Sequence, residues 1–397
     1  MLIQIILAIL MGLIAGTITG LIPGIHINLI GSFLVAFSGI LFYSISPIYL
    51  VIFIAAMAIT HTFLDFIPSI LLGCPDTDTE LSTLPGHELL KEGQGYQAIL
   101  LTLYGSLAAI ILLMIIALPF GFLITKLYEP VRTILPYLLI LISILLINLE
   151  KKKGKALLAF LLTGALGLCV LNLEILKEPL LPMLTGLFGS SMLLLSIKNK
   201  TKVPEQKISR PRVKLFRPLL GSVISAPLCS FLPGLGSGQA AIIGNTLVNK
   251  NGDRKDFLIL LGATNTLVMG FSFITLYLFS KTRTGAAAAI NELLPNISIN
   301  ILILILICVL ISGIISFFLA KNISKFFIKR IQKINYTKIS IGTIIFLGII
   351  ILIVSKFLGF LIFLISTGVG LYCISLNVRR TNMMGCLLIP VIIFYLF

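Results

Sequence analysis

His61 and Asp65 stand four residues apart inside an apolar run, a spacing that places both side chains on one face of a helix. Ionisable groups at such depth are costly and are functional candidates by default. A histidine poised near neutrality beside a carboxylate could relay protons. The plain alternative is a structural pair that anchors its helix to a neighbour. A second chemistry is offered by a motif that occurs in both halves of the chain, Ile22-Pro23-Gly24-Ile25-His26 and Leu232-Pro233-Gly234-Leu235-Gly236. Proline removes a backbone donor and glycine permits shapes other residues resist, so each motif breaks a helix inside hydrophobic sequence. Irregular backbone at membrane depth is tolerated only where it packs in protein or lines a wet cavity. If each break is a re-entrant tip, the N–H groups behind it sit at the positive end of a helix dipole and suit an anion. The candidates for holding one are Gly24, Ile25, His26 and Asn28 in the first half, and Gly234, Leu235, Gly236, Ser237 and Gly238 in the second. The alternative is that these glycines only let helices turn or pack closely.

Other polar residues extend both sets. Asn28, Asn245, Thr264 and Asn265 lie in apolar surroundings, where an amide or hydroxyl could bind a carboxylate or coordinate sodium, or else bond to a neighbouring helix. Asn245, Thr264 and Asn265 therefore join His61 and Asp65 as candidates for coupling to an ion. Arg283, with Lys281, could pair with a carboxylate, arginine in bidentate fashion; the competing reading is interfacial snorkelling. Asp76, Asp78 and Glu80, interleaved with Thr77 and Thr79, form a loop able to bind a cation, to gate, or simply to be solvated.

The elements that must position these groups follow from composition. With 397 residues, 58% hydrophobic and 11% charged, and a mean hydropathy of +1.13, the chain is expected to be an all-α polytopic integral membrane protein of the cell membrane. Its net charge of +16 lies in short clusters between apolar runs, the pattern of cytoplasmic loops rather than of a nucleic-acid surface. Six cysteines without CxxC spacing indicate neither a disulfide framework nor a zinc site. The first apolar run lacks a basic leader and a cleavage site, and reads as a retained membrane segment.

Spans of crossing length are expected at 48–72, 97–124, 133–149, 156–174, 180–197, 256–280, 297–320, 339–355 and 357–376, with broken hairpins at 2–44 and 218–249. The apolar stretch 384–397 is short for a crossing. Five basic clusters, around Lys151, Lys198–Arg217, Lys250–Lys255, Lys321–Lys338 and Arg379–Arg380, are placed in the cytoplasm. The first hairpin then opens outward and the second inward, with three spans between them. Two inverted-topology repeats result, each a Pro-Gly-broken helical hairpin followed by two spans: residues 1–130 with spans 48–72 and 97–124, and residues 218–320 with spans 256–280 and 297–320. Residues 131–217 hold linking spans and a basic cytoplasmic loop, and 321–397 the C-terminal spans. Such repeats let one scaffold expose a central site to either side.

Three stretches carry a family resemblance: Gly16-Thr17-Ile18-Thr19-Gly20-Leu21-Ile22-Pro23-Gly24, Phe231-Leu232-Pro233-Gly234-Leu235-Gly236-Ser237, and Ile67-Pro68-Ser69-Ile70-Leu71-Leu72-Gly73-Cys74-Pro75 leading into Leu84-Pro85-Gly86-His87-Glu88 and on to Ala98. In these the chain resembles the large membrane subunit of the tripartite tricarboxylate transporters, the TctA-like permeases. His26 departs from the small or hydroxyl residue common there, and Cys74-Pro75-Asp76 from the usual Pro-Gly. The resemblance implies uptake of carboxylate anions, with an extracellular solute-binding protein and a small membrane subunit as partners.

The expectation is a secondary transporter of an organic anion, a carboxylate, working by alternating access with Na+ or H+ as coupling ion and no other cofactor. Its partners are the small organic anion and membrane lipid; a homodimer is left open, and nucleic acid is excluded. A lipid-phosphate flippase or an anion channel uses the same scaffold and is the rival reading. An intramembrane metalloenzyme built on His26, His61, His87 and Asp65 lacks a recognised ligand spacing, and no GxSxG or P-loop is present.

Overall fold

The computed structural model describes residues 2–396 apart from 23–26, 28–29, 32–33, 35–44, 73–78, 80–81, 149, 174, 177–178, 199–203, 232–236, 249–252, 281, 283, 332–335 and 379. Every regular element among them is helical, as an apolar chain that must satisfy its backbone internally requires. Helix α1 spans Leu2–Leu21, α2 Pro47–Leu64, α3 Phe66–Leu72, α4 Thr83–Lys91, α5 Gly95–Asn148 and α6 Lys153–Leu171. A helix from Leu180 to Lys198 follows, made of α7 (Leu180–Leu184), a π turn (Thr185–Ser190) and α8 (Ser191–Lys198). The second half holds α9 (Phe216–Phe231), α10 (Ser237–Val248), α11 (Arg254–Phe279), α12 (Gly285–Leu293), α13 (Ile299–Ile331), α14 (Tyr336–Ser375), a 3-10 turn (Arg380–Met384) and α15 (Gly385–Leu396). Seven of the described helices are long and apolar enough to cross a membrane.

Two of these form the centre. The apolar windows of Pro47–Leu72 and Arg254–Phe279 are 94% buried in protein, against 28% for Leu2–Leu21, whose outer face carries exposed Leu, Ile and Met side chains suited to lipid. Small residues let α1 seat on α2. Gly12, Gly16 and Gly20 recur every fourth residue, and a β-carbon on Gly16 would fall 2.5 Å from the Met57 carbonyl oxygen. Gly12 meets Phe53 and Ala56, and Gly20 meets His61 and Leu64, so the register advances together and the two helices run parallel.

The same kind of contact fixes the other directions. Gly221 meets Leu260, and the Thr275 hydroxyl donates to the Ser230 carbonyl at 3.4 Å, so α9 runs parallel to α11. Thr102 lies against Gly262 and Leu113 against Gly270, while Phe120 stacks at 4.0 Å on Phe271; the first part of α5 is therefore also parallel to α11. Helix α13 runs with α2, through Cys308 on the Ile52 carbonyl and Ser316 on Thr60, and against α5, through Tyr104 on Phe317 and Ile110 on Gly313. Thus α1, α2 and α13 point one way, and α5, α9 and α11 the other.

One departure from the sequence reading and one agreement with it concern boundaries. Spans 97–124 and 133–149 are expected to be separate, yet α5 is helical throughout, with Pro119, Pro130 and Pro136 inside it. A proline removes one hydrogen bond and kinks a helix without having to end it when neighbours satisfy the freed carbonyl. The crossing-length part of α5 is Gly95–Ala117. Conversely, α14 is interrupted at Lys356 (φ 55°, ψ −162°), between the expected spans 339–355 and 357–376. That conformation is otherwise the province of glycine.

Between the halves, the non-helical segment 204–215 is clipped to the corner joining α4 and α5. Gln206 accepts from Gly95 N–H at 2.8 Å and donates to the Leu90 carbonyl at 2.8 Å, Lys207 N–H donates to Gly93 O at 2.9 Å, and Gln97 donates to Ser209 at 2.7 Å. Gly93 turns the corner at φ 78°, where a β-carbon would also meet the Glu205 carbonyl.

Candidate functional site

The polar face of α2 is a buried hub. Helix α2 ends at Leu64, Asp65 keeps right-handed helical geometry with its N–H on His61 O, and α3 begins at Phe66. Pro68 has no N–H, so the Leu64 carbonyl has no intrahelical amide at the usual position and the helix breaks beside the carboxylate. Ser69 bridges the gap, its N–H reaching the Asp65 carbonyl at 3.4 Å and its hydroxyl donating to the same oxygen at 2.8 Å.

From this face each side chain reaches a different helix. Thr60 accepts from Ser316 of α13 at 3.0 Å. His61 Nδ1 lies 3.1 Å from Thr19 Oγ1 of α1; because that hydroxyl donates to Gly16 O at 3.2 Å, the ring is assigned as donor from Nδ1. Thr62 meets Thr266 of α11 at 3.3 Å. Asp65 Oδ2 accepts from the Asn265 amide of α11 at 2.9 Å. His61 is 3% exposed and Asp65 2%, so this is a water-excluded polar junction where α1, α11 and α13 converge on one helix.

The structure thus brings together Asp65 and Asn265, residues two hundred positions apart, and places His61 on the same face with Thr19. Thr264 is fully buried, and its hydroxyl has no hydrogen-bond partner among the described residues. Asn245 is half-buried on α10, which packs on α9 and α11. Ser237 and Gly238, both buried, form the first turn of α10, directly after the second Pro-Gly motif. Gly24, Ile25, His26, Asn28, Gly234, Leu235, Gly236 and Arg283 lie outside the described residues, as do Lys281, Asp76, Thr77, Asp78 and Glu80. Thr79 is described: its hydroxyl bonds that of Ser69 at 2.6 Å and its carbonyl accepts from Ser82 at 2.7 Å, which ties Thr79 to α3.

Sequence reasoning missed Thr19, Thr62, Thr266 and Ser316. The signal for Thr19 was its place inside the Gly12-Gly16-Gly20 stripe; the others are ordinary hydroxyls that only the packing distinguishes. Also missed was an ionic cluster where α4 meets the start of α11. Arg254 Nη1 donates to Glu88 Oε2 and Glu92 Oε1, each at 3.0 Å, and the two glutamates share a helix face by their four-residue spacing. All three side chains are about 45% exposed, so Arg254→Ala is expected to cost less than about 1 kcal/mol, read as a nearly unchanged melting midpoint in detergent.

His87 on α4 is 2% exposed and donates from Nδ1 to the Ile70 carbonyl at 3.2 Å, tying α4 to α3. Burial pushes its pKa down to about 4, with Lys91 and Arg380 adding to the effect and the Ile70 bond opposing it. Between about pH 6.5 and 4 the unfolded chain binds the proton that the folded chain refuses, so stability rises with pH through this window and is lost on acidification. At pH 5 the loss is about 2 kcal/mol. Comparing melting midpoints at pH 7.5 and pH 5 checks this: the wild type should fall further than His87→Gln.

Among the described residues no three His, Cys, Asp or Glu side chains gather as a metal site. The arrangement offers instead a buried carboxylate with amide and hydroxyl oxygens beside a broken helix, the chemistry of a small cation or proton site.

Comparison with known proteins gives one family match. The model described as the tripartite tricarboxylate transporter TctA family matches residues 6–385. An uncharacterized protein of Methanocaldococcus jannaschii is 31% identical over 355 residues, covering 87% of this chain and 88% of that protein. No solved structure matches.

Proposed function

Because the chain belongs to the tripartite tricarboxylate transporter TctA family, a transporter family rather than an enzyme family, we propose that this multi-pass membrane permease carries an organic anion, a carboxylate, by alternating access with Na+ or H+ as coupling ion. The observation that carries the reading is the Asp65–Asn265 bond, which joins the two most buried helices of the molecule at a helix break. An ionisable group held there is costly unless it works.

The two halves, α1–α2–α5 and α9–α11–α13, act as inverted-topology repeats. The helix directions support this, since the first set runs two with and one against while the second runs the reverse. Anion contacts fall to the Pro-Gly tips, Gly24, Ile25, His26 and Asn28 in the first and Gly234, Leu235, Gly236, Ser237 and Gly238 in the second, with Arg283 as a carboxylate partner. The first turn of α10 at Ser237 and Gly238 supports that assignment for the second tip. Ion coupling falls to His61, Asp65, Thr264 and Asn265, with Asn245 behind the second tip. An extracellular solute-binding protein and a small membrane subunit complete the system, as the family name's three parts suggest.

In this scheme Arg254 with Glu88 and Glu92 latches the cytoplasmic ends of the halves. Arg254→Ala should slow uptake about fivefold, the effect of shifting a two-state balance by roughly 1 kcal/mol, while folding is preserved. The reading as a whole is tested by uptake into proteoliposomes of mono-, di- and tricarboxylates under separately imposed sodium and proton gradients. Saturable, gradient-driven uptake is expected. Absence of saturable uptake for every acid sinks the carboxylate assignment.

A further inference from the structure

The segment that clips the two halves together has a second face. Across 210–216 exposure alternates: Arg210, Arg212, Lys214 and Phe216 are exposed, whereas Pro211 is buried and Val213 and Leu215 are half-buried against the core. Such alternation marks extended chain, in which every second side chain points the same way. Gln206 and Ser209, bonded to the α4–α5 corner, hold the start of the segment, and α9 holds its end. The cations are therefore presented outward from a backbone already in place, so little binding energy goes into ordering it.

None of Arg210, Arg212, Lys214 and Arg217 has a salt-bridge partner among the described residues. Asp256, at the start of α11, is close enough to Lys214 and Arg217 to interact with both, so those two cations share one neighbourhood. Solvated cations need no partner by themselves; what singles these out is the surface beside them. Phe216 is 80% exposed, and Leu220 and Ile224, both exposed, follow it at four-residue spacing on one face of α9. Arg217, also exposed, stands three residues before Leu220 and so joins that face. An exposed apolar stripe on a helix of a membrane protein is where acyl chains lie, and here it begins at the cationic segment. A negatively charged headgroup on an apolar tail matches both parts. Free phosphate or nucleic acid would meet only the charges and leave Phe216 in water, and a zwitterionic headgroup brings no net charge.

We propose that residues 210–217 and the outer face of α9 bind an anionic phospholipid, its phosphate held by Arg212, Lys214 and Arg217 and an acyl chain laid on Phe216, Leu220 and Ile224. The site requires neither the carboxylate nor the coupling ion of the transport reading. The test is native mass spectrometry of the full-length protein in neutral detergent, titrated with dioleoyl phosphatidylglycerol or dioleoyl phosphatidylcholine. Phosphatidylglycerol should bind saturably and at least about tenfold more tightly. Replacing Arg212, Lys214 and Arg217 together by glutamine should remove that preference. The same replacement of Lys151, Lys152 and Lys153, exposed in another basic turn, should keep it. Should the first triple variant fail to fold, Arg212→Gln alone reads the same contact, with a loss of about fivefold. Phe216→Ala should weaken phosphatidylglycerol by about threefold or more through lost apolar contact, and inorganic phosphate at equal concentration should displace nothing. Equal binding of the two lipids, equal losses in both triple variants, or displacement by phosphate would each overturn the proposal. So would a dimer that Phe216→Ala dissociates, which would assign the face to a second copy of the chain. Uptake is a separate readout, so failure here and failure of the transport reading are distinguishable.

Discussion

Asp65→Asn is expected to lower uptake by about a hundredfold or more, while the protein still folds. The reasoning rests on what the substitution keeps. Asparagine has the shape of aspartate and can still accept from the Asn265 amide, which lies 2.9 Å from Asp65 Oδ2. A merely structural anchor would therefore survive, with a change of stability no larger than the net worth of one hydrogen bond, about 1 kcal/mol. What asparagine lacks is a negative charge and a proton that can be lost. At a site 2% exposed, charge is retained only at considerable cost, so its loss should be felt in coupling rather than in packing. Asn265→Ala is the converse: it withdraws a donor from a buried carboxylate and should cost about 2 kcal/mol in stability as well as uptake. Gradient-driven uptake and melting midpoints measured together separate the two roles. Near-normal uptake in Asp65→Asn would return this residue to a structural post.

Gly262→Val is the second large effect, and it acts through stability. A β-carbon on Gly262 would fall 2.2 Å from the Thr102 carbonyl oxygen, and one on Gly105 would fall 2.1 Å from the Ile259 carbonyl oxygen. Each helix thus presses backbone into the other's glycine, and Ser106 adds a hydrogen bond to Gly262 O at 3.0 Å. Backbone cannot rotate out of the way as a side chain can. A branched side chain there must drive α5 and α11 apart at a buried backbone contact, at a cost of at least about 3 kcal/mol. Size-exclusion profiles after detergent extraction should show aggregate in place of a single peak. Gly368 is the control, for among the described residues nothing lies within 4 Å of a β-carbon added there. Gly368→Ala should be neutral or stabilise by up to about 1 kcal/mol through helix propensity.

Much of the fold was legible because lipid imposes few choices. Long apolar runs give helices, and the all-α membrane class and the Lys356 boundary between 339–355 and 357–376 follow from hydropathy and a single charged residue. His61 and Asp65 were legible for a related reason, since charge inside an apolar run is conspicuous. Their partners were not. Periodicity says which face Asp65 occupies and nothing about Asn265 two hundred residues on. Thr19 and Thr266 are chemically unremarkable until packing brings them near. The continuity of α5 was misjudged because Pro119, Pro130 and Pro136 read locally as stops, whereas a proline can kink a helix without ending it. The π turn has no sequence signature at all. Arg254 was read for the side of the membrane it marks, and its two glutamate partners were invisible until α4 was placed beside it.

The clip at the α4–α5 corner also limits mechanical travel. Ser209 is held to Gln97, and α9 begins at Phe216, so six residues of chain, seven Cα-to-Cα steps, connect a point fixed on one half to the first helix of the other. Fully drawn out, that length is roughly 23 Å. The segment behaves as a leash: α9 can swing or slide relative to α5 no further than this length, and lengthening it would extend the stroke.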